Sequence, residues 1–278
     1  MPVNNVAPAF LCIRASIARP GPTHSTRPES RDGRRCEQSR TSVIRAIFFD
    51  LDDTLVDDTI STEACAEAAA REVAGGRGLA PADLAKAYLD AAIAFWEGLE
   101  PGATRSREHG IRRTMWREAL RKLGVDDDAL AAALALRYDA IRAERVEYYP
   151  DAVPVLTSLH GRYRLAIITN GFAETHKARI APLQLGRFFD HVLMAGDLEM
   201  VKPDPAIFQY AMTLLDVGPA ESVMVGDRFN RDVTGAQAAG MRAIWMNVRA
   251  EAMPQGATPP DAVIASLSEL PAALASLQ

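Results

Sequence analysis

The sequence predicts an α/β fold in which a doubly wound parallel sheet carries an inserted all-helical cap domain. Short apolar runs alternate with helical patterns in residues 147–278, as strands and crossover helices do in a parallel sheet. Another apolar run ends at residue 50, ahead of a long block, residues 58–146, that is rich in helix-forming Ala, Leu, Glu and Arg. Together these two observations predict a helical insertion after the first strand.

Residues 1–42 are expected to lie outside this fold. They are rich in Arg, Pro, Ser, Thr and Gly, show no lasting hydrophobic period, and hold seven arginines against three acidic residues. This composition predicts a disordered segment, and a mis-assigned start codon would produce the same pattern. An organelle transit peptide is a further interpretation, which the three acidic residues disfavour.

The first strand is predicted at VIRAIFFD, residues 43–50, an apolar run with β-branched and aromatic residues. Further strands are predicted at residues 164–170, 191–196, 222–227, 242–247 and 261–264. Helices are predicted between them at residues 151–160, 173–185, 204–216 and 231–239. The Rossmann-like core would therefore comprise residues 43–57 and 147–278.

Four helices are predicted in the block that interrupts this core, at about residues 60–74, 81–97, 106–123 and 127–145. The segments GGRG, EPGAT and LGVDDD separate them, because glycine, proline and acidic residues favour turns. We therefore expect a helical cap over residues 58–146.

The composition is that of a globular protein. Of the 278 residues, 48% are apolar and 24% are charged, which is enough to bury a sizeable core. The net charge of -5 argues against nucleic acid or an anionic membrane as a partner, and no stretch approaches the roughly 18 consecutive apolar residues of a membrane helix. Three scattered cysteines, Cys12, Cys36 and Cys65, favour reduced thiols and a cytoplasmic protein over disulfides or zinc. The oligomeric state is left open.

Polar residues gather where three of the predicted strands end. The strand ends carry Asp50, Thr169, Asn170 and Asp227, and the loops just beyond add Asp52, Lys202 and Asp232. Taken singly, each has an ordinary explanation, such as a helix cap, a turn or a solvated lysine. In open α/β sheets, however, ligands bind beyond the carboxyl ends of the strands. Four carboxylates there would repel each other without a cation, so the pattern predicts a Mg2+ site.

Four segments, in order, resemble the motifs of the haloacid dehalogenase-like (HAD) hydrolase superfamily. DLDDTLV at residues 50–56 is similar to the DxDxT motif of its phosphatases. The other three segments are TNG (169–171), VKPDPAIF (201–208) and VGDRFNRD (225–232). The resemblance extends over residues 43–278 and implies the subfamily I architecture, a Rossmann-like core with a helical cap.

The resemblance also implies a role for each candidate residue. Asp50 would be the nucleophile that forms an aspartyl-phosphate, and Asp52 the general acid and base. Thr169, Lys202 and the backbone N–H groups near Asn170 would bind the phosphate. The residues implied to hold Mg2+ are Asp50, Asp52 through its carbonyl group, Asp227 and Asp232.

The implied activity is that of a phosphatase acting on a small phosphorylated metabolite, such as a nucleotide, a sugar phosphate or phosphoglycolate. The acid at position 52 favours a phosphatase over a dehalogenase, because an ester oxygen needs a proton to leave and a halide does not. A phosphomutase of the same superfamily is an alternative. A non-catalytic binding protein that retains the fold is another.

The predicted cap offers basic and aromatic side chains that could select the substrate. They are Trp96, Arg105, Arg107, His109, Arg112, Arg113 and Trp116. An arginine could bind a second anionic group, and a tryptophan could stack on a base or a sugar. The alternative is a solvated basic face with two buried tryptophans. His176, on the helix after TNG, is expected to be a surface or packing residue.

Overall fold

Six parallel strands form one sheet in the part of the chain that the structure, a computed structural model, describes: residues 43–98, 110–198 and 200–277. The strands are β1 (Ala46–Phe49), β2 (Arg164–Thr169), β3 (His191–Met194), β4 (Ser222–Gly226), β5 (Arg242–Met246) and β6 (Ala262–Ile264). Each is a little shorter than its predicted run. The expectations for residues 1–42 lie outside the described residues.

The strand order β3-β2-β1-β4-β5-β6 puts β1 in the middle of the sheet. Phe49, the last residue of β1, lies opposite Ile167 of β2 and Val225 of β4. The carboxyl ends of these three strands are therefore neighbours. The chain runs from β1 to β2 and β3 on one side and then returns to β4 on the other side of β1. Ligands bind at such a switch point in doubly wound folds.

Helices cover both faces of the sheet. They are α5 (Ala152–Leu159), α6 (Ala173–Ile180), α7 (Pro205–Leu215), α8 (Thr234–Ala238) and α9 (Leu270–Ser276). Ile47 and Phe49 belong to an apolar cluster with α5 and α9, whereas Ala46 and Phe48 pack with α7 and α8. Alternate side chains of a strand point to opposite faces, so a strand covered on both faces is apolar throughout. The predicted doubly wound, Rossmann-like sheet is confirmed.

Between β1 and α5 the described residues form four further helices, here called the helical insertion. They are α1 (Thr59–Ala74), α2 (Pro81–Glu97), α3 (Ile111–Lys122) and α4 (Asp128–Arg145). They surround their own apolar cluster, in which the rings of Tyr88 and Trp116 stack with centroids 4.1 Å apart. The division into a core (43–57 and 147–278) and a cap (58–146) stays a prediction.

Two predicted helices end or begin differently in the structure. The helix expected over 173–185 ends at Ile180 and is followed by short 3-10 turns, the first of which contains Pro182. Proline cannot continue the hydrogen-bond ladder of an α-helix, which explains the early end. The helix expected over 231–239 opens with a π-helical turn, Phe229–Val233. None of the helices in the described ranges has the length and apolarity needed to cross a membrane.

Candidate active site

Lys202 joins two buried carboxylates at the carboxyl edge of the sheet. Its ammonium nitrogen Nζ lies 2.6 Å from Oδ1 of Asp50 and 2.7 Å from Oδ1 of Asp232. Asp50 directly follows β1, and its N–H donates to the carbonyl oxygen of Val225 at 2.9 Å, which fixes it beside β4. All three charged side chains are buried, so these ion pairs are only weakly screened by solvent.

Asn170 fixes the loop that carries Lys202. Its side-chain Nδ2 donates to the carbonyl oxygen of Lys202 at 2.9 Å, and its Oδ1 accepts from the N–H of Lys202 at 2.8 Å. Both ends of the amide are thus bound to the loop. The phosphate contact implied for residue 170 would therefore come from its backbone and not from its side chain. Thr169, at the end of β2, accepts a hydrogen bond from the N–H of Gly171 at 3.1 Å and keeps its hydroxyl proton for another acceptor.

The π-helical turn after β4 brings Asp232 back onto the end of that strand. Oδ2 of Asp232 accepts from the N–H of Arg228 at 2.9 Å, while Oδ1 pairs with Lys202. A Cβ atom at Gly226 would lie 2.3 Å from the carboxyl carbon of Asp232, so only glycine fits at that position. Asp232 is 1% exposed, and the structure places it where it binds the lysine directly.

Asp227 completes the acidic group. Its backbone carbonyl accepts from Nε1 of Trp245 at 2.8 Å, and its Oδ2 lies 3.7 Å from Nε of Arg228. Its Oδ1, in contrast, is buried without a hydrogen-bond partner among the described residues. A buried carboxylate oxygen with no donor costs free energy unless a cation or a proton joins it.

The acidic group is suited to a divalent cation. Carboxylate oxygens of Asp50, Asp227 and Asp232 all lie within 4.8 Å of one another, and the ammonium of Lys202 contacts only two of these residues, Asp50 and Asp232. Burial raises the pKa of Asp50 to about 7 against the effect of Lys202, with the charges of Asp232 and Asp52 adding to the rise. Burial, followed by the charges of Asp50 and Asp232, raises the pKa of Asp227 to about 9. A hard divalent cation bound to these oxygens would offset the repulsion between the buried carboxylates, so the residues fit Mg2+.

Asp52 lies in the loop after β1 and does not join that group of carboxylates. Its Oδ2 lies 3.0 Å from Nε2 of His176. The metal role implied for Asp52 concerns its carbonyl oxygen and stays a prediction. The neighbouring Asp53 shapes the turn: its φ is 58°, it accepts from the N–H of Asp58 at 3.1 Å, and it pairs with Arg249 at 2.9 Å.

His176 is the residue that sequence reasoning missed. It is buried beside the site, and its Nδ1 lies 2.8 Å from Oγ1 of Thr175. The ring is buried, as expected of a packing residue, but it packs against the site itself. The first turn of a helix that follows a strand lies over the carboxyl end of that strand, so the position of His176 after Thr169 and Asn170 is a signal of this placement.

Several described residues of the helical insertion contact the loops and helices at the carboxyl edge of the sheet. Oε1 of Glu174, on α6, accepts from the N–H groups of Gly110 at 2.8 Å and Ile111 at 3.0 Å, at the start of α3. Phe172 belongs to the apolar cluster of the insertion. Nη2 of Arg231 donates to the carbonyl oxygen of Trp96 at 2.6 Å. The insertion is therefore docked over the site.

Most of the substrate-selecting candidates in the insertion are engaged elsewhere. Arg112 is buried, where its Nη1 bonds the hydroxyl of Tyr88 at 2.9 Å and its Nε pairs with Asp139 at 3.0 Å. Trp116 is buried in the centre of the insertion, and Arg113 pairs with Asp128 on the surface. Trp96 alone among the described candidates reaches the site, since its ring meets His176 edge-on at 5.9 Å. Arg105, Arg107 and His109 lie outside the described residues.

Comparison with known proteins relates the chain to one known family. A family model described as haloacid dehalogenase-like hydrolase matches residues 44–240. The N-acylneuraminate-9-phosphatase of Rattus norvegicus is 29% identical over 247 residues, which cover 85% of this chain and 96% of that protein. The phosphoserine phosphatase of Thermus thermophilus is 31% identical over 226 residues, covering 73% of this chain and 89% of that protein.

Solved structures give the same picture of the fold. A 2-haloacid dehalogenase from Pseudomonas syringae is 33% identical, with a TM-score of 0.63, and the match covers 85% of this chain and 100% of that one. The HAD-hydrolase YfnB from Bacillus subtilis, which was solved with magnesium bound, is 25% identical with a TM-score of 0.68; the match covers 84% of this chain and 100% of that one. Both a dehalogenase and a magnesium-bound protein thus share this architecture.

Proposed function

Since the chain belongs to the haloacid dehalogenase-like hydrolases, we propose that it is a magnesium-dependent phosphatase in which Asp50 carries the phosphoryl group of a small phosphomonoester. The family assignment rests on the match over residues 44–240. The chain is a phosphoric monoester hydrolase, because its curated relatives include acylneuraminate, phosphoserine and glyceraldehyde phosphate phosphatases. The observation that carries the finer proposal is the ammonium of Lys202 shared between Asp50 and Asp232 beside Asp227.

In the first half of the proposed reaction, a carboxylate oxygen of Asp50 attacks the phosphorus atom. A bond from Asp50 to phosphorus forms while the ester bond to the leaving oxygen breaks, and that oxygen takes the proton of the Asp52 carboxyl group. The products are a free alcohol, an aspartyl-phosphate and an Asp52 carboxylate. Lys202 stays beside Asp50 throughout and offsets the negative charge of the phosphoryl group.

In the second half, water attacks the phosphorus atom of the aspartyl-phosphate and Asp52 takes a proton from that water. The bond from phosphorus to Asp50 breaks, which releases inorganic phosphate and restores the Asp50 carboxylate and the Asp52 acid. The Thr169 hydroxyl, together with N–H groups of the loop after β1 and near Asn170, is proposed to hold the phosphate oxygens. The docked insertion would keep bulk water from the intermediate until hydrolysis.

Asp50, Asp227 and Asp232 are the carboxylates that would hold Mg2+, with the carbonyl oxygen of Asp52 as a further ligand. A bound Mg2+ would supply positive charge at the phosphoryl oxygens and orient them. The buried, unpaired Oδ1 of Asp227 supports this assignment because it needs a cation or a proton.

A dehalogenase is the competing activity, because one of the similar structures is that of a 2-haloacid dehalogenase. Asp52 favours the phosphatase, because it supplies a proton donor that the departure of a halide does not need. A phosphomutase would use the same two acids and would return the phosphoryl group to the sugar instead of giving it to water. The substrate class is therefore proposed as a small phosphorylated metabolite that fits beneath the insertion.

The test is release of inorganic phosphate from a panel of phosphomonoesters after treatment with a chelator, with and without added Mg2+. The panel contains an acylneuraminate 9-phosphate, phosphoserine, sugar phosphates, nucleoside monophosphates, phosphoglycolate and an aryl phosphate. We expect release that requires both Mg2+ and Asp50. Release that is undiminished in Asp50→Asn, or that continues in the presence of excess chelator, would refute the mechanism. Isomerised hexose phosphate without free phosphate would identify a mutase, and halide release from a 2-haloacid would identify a dehalogenase.

A further inference from the structure

His176 and Asp52 form a hydrogen-bonded pair between α6 and the loop after β1. Nε2 of the imidazole lies 3.0 Å from Oδ2 of the carboxyl group. The His176 side chain is 6% exposed, whereas the Asp52 side chain is 27% exposed. The carboxyl group therefore remains accessible, while the ring that contacts it is held inside the protein.

The surroundings of the ring fix its position. A Cβ atom at Gly171 would lie 2.3 Å from its Cε1 and 2.4 Å from its Nε2, so the ring lies directly over the glycine that follows Asn170. Trp96 meets the ring edge-on from the helical insertion, at 5.9 Å between centroids. On its other side Nδ1 meets the hydroxyl of Thr175 at 2.8 Å. An imidazole confined in this way has few alternative rotamers.

The hydroxyl of Thr175 allows the ring to bind Asp52 in both of its protonation states. This hydroxyl has one proton and lies near two acceptors, Nδ1 of His176 at 2.8 Å and the carbonyl oxygen of Phe172 at 3.2 Å. When it donates to Nδ1, the neutral ring carries its proton on Nε2 and donates to an Asp52 carboxylate. The same Nε2–H donates to Oδ2 of a protonated Asp52 when the acid proton is carried on Oδ1. The heavy atoms need not move between the two arrangements.

We propose that His176 is a positioning residue, which holds the carboxyl group of Asp52 in one orientation while that group alternates between acid and base. The inference rests on the proposed function, because it assumes that Asp52 protonates the leaving oxygen. During that step the proton on Oδ1 of Asp52 passes to the leaving oxygen as the ester bond breaks, and the hydrogen bond from Nε2–H of His176 to Oδ2 of Asp52 is kept. In this proposal His176 acts only through Asp52.

The test compares two substrates that differ in their need for a proton. An aryl phosphate with an electron-withdrawing ring leaves as a stable phenolate, whereas an alkyl phosphate leaves as an alkoxide unless it is protonated. The value of kcat/KM reports the first half of the reaction, in which the leaving group departs. For His176→Leu we expect kcat/KM to fall about 10- to 100-fold with the alkyl phosphate and less than about threefold with the aryl phosphate. The loss with the alkyl phosphate corresponds to part of the acid catalysis that Asp52 supplies.

Two further variants separate positioning from packing. His176→Gln retains a donor and an acceptor at similar reach, so we expect kcat/KM for the alkyl phosphate to recover to within about threefold of the wild type. His160→Leu is the matched control, because this imidazole bonds the carbonyl oxygen of Phe188 at 3.1 Å, at the amino edge of the sheet. It should leave both substrates unaffected. Thermal unfolding midpoints of all variants establish that each is folded.

Equal losses with the two substrates in His176→Leu, or no recovery in a folded His176→Gln, would overturn the proposal in favour of a purely structural role. If His176→Leu does not fold, His176→Gln and Thr175→Val decide. Thr175→Val retains the shape and removes the hydroxyl, so the positioning role requires a selective loss with the alkyl phosphate. Failure of the proposed function looks different, because the wild-type protein would then release no phosphate from either substrate.

Discussion

Removing the charge of Asp227 should stabilise the metal-free protein at alkaline pH. In the unfolded chain this carboxyl group has a pKa of 3.8, whereas burial and the charges of Asp50 and Asp232 raise the pKa to about 9 in the folded protein. The folded state therefore binds a proton that the unfolded state has lost. Stability falls with pH wherever the folded state binds more protons. This contribution is present in full below pH 3.8 and is lost as the pH rises to about 9.

The size of the effect follows from one proton. Each pH unit across which the folded state retains a proton that the unfolded state lacks changes the free energy of unfolding by about 1.4 kcal/mol. From pH 7 to pH 9 the loss attributable to Asp227 is therefore about 2–3 kcal/mol. For a chain of this size that corresponds to a fall of about 5–10 °C in the unfolding midpoint. Asp50, with a pKa of about 7, contributes mainly below this range.

The assay is thermal unfolding at pH 7 and pH 9, in chelator and in excess Mg2+, for the wild type and for Asp227→Asn. In chelator at pH 9 we expect Asp227→Asn to be more stable than the wild type and its midpoint to depend less on pH. Mg2+ should raise the wild-type midpoint more at pH 9 than at pH 7, because the ligands must lose their protons to bind it. Asp227→Asn should gain little from Mg2+.

Two controls isolate the carboxyl group. Burial also raises the pKa of the Cys65 thiol, so this group lowers alkaline stability in both proteins and cancels in the comparison. Asp126→Asn removes a carboxylate that is 80% exposed and should leave the pH dependence unchanged. If the metal-free wild type and Asp227→Asn lose stability in parallel between pH 7 and pH 9, the repulsion inferred at the site does not exist.

Three further changes test the rest of the site. Asp50→Asn should lower phosphate release by more than about 10³-fold without lowering the unfolding midpoint, because the amide cannot act as the nucleophile. Lys202→Met should lower the free energy of unfolding in urea, with chelator present, by about 3–5 kcal/mol, because it removes the ammonium from two buried carboxylates. The control Arg45→Met, at an exposed ion pair, should lower it by less than about 1 kcal/mol. Glu174→Ala should raise KM about 2- to 10-fold with little change in kcat, because it removes the acceptor for two N–H groups of the insertion. The control is Glu118→Ala, which removes an exposed carboxylate paired with Arg121. A KM within error of that control would exclude the docking role of Glu174.

The residues at the carboxyl edge of the sheet were predictable, because the ends of the strands can be recognised in the sequence. An apolar run that stops at a polar residue marks the end of a buried strand, and parallel strands present these ends at one edge. This rule identifies Asp50, Thr169 and Asp227 without knowledge of the strand order. The order β3-β2-β1-β4-β5-β6 then places the strands that carry them side by side.

The use of each polar side chain was less predictable, because it depends on partners far away in the sequence. Arg112 is a basic residue on an amphipathic helix, and nothing local shows that Tyr88 and Asp139 enclose it. Asn170 is predicted to offer its backbone N–H to the phosphate, and nothing local shows that its side-chain amide binds the backbone of Lys202, on a loop 32 residues away. A pattern identifies which residues reach the site, and the fold decides whether each faces the ligand or supports a neighbour.

Two glycines show how local geometry could have revealed the supporting residues. Gly171 lies under the ring of His176, five residues later, and Gly226 lies against the carboxylate of Asp232, six residues later. In both cases the chain leaves the strand, makes one helical turn and lays a side chain over the strand end, so that only the absence of a Cβ leaves room. A glycine at the end of a buried strand, followed at this distance by a titratable residue, therefore predicts a side chain folded back onto the site. In the second pair, a Cβ at position 226 would displace the carboxylate of Asp232, which holds the ammonium of Lys202 beside Asp50.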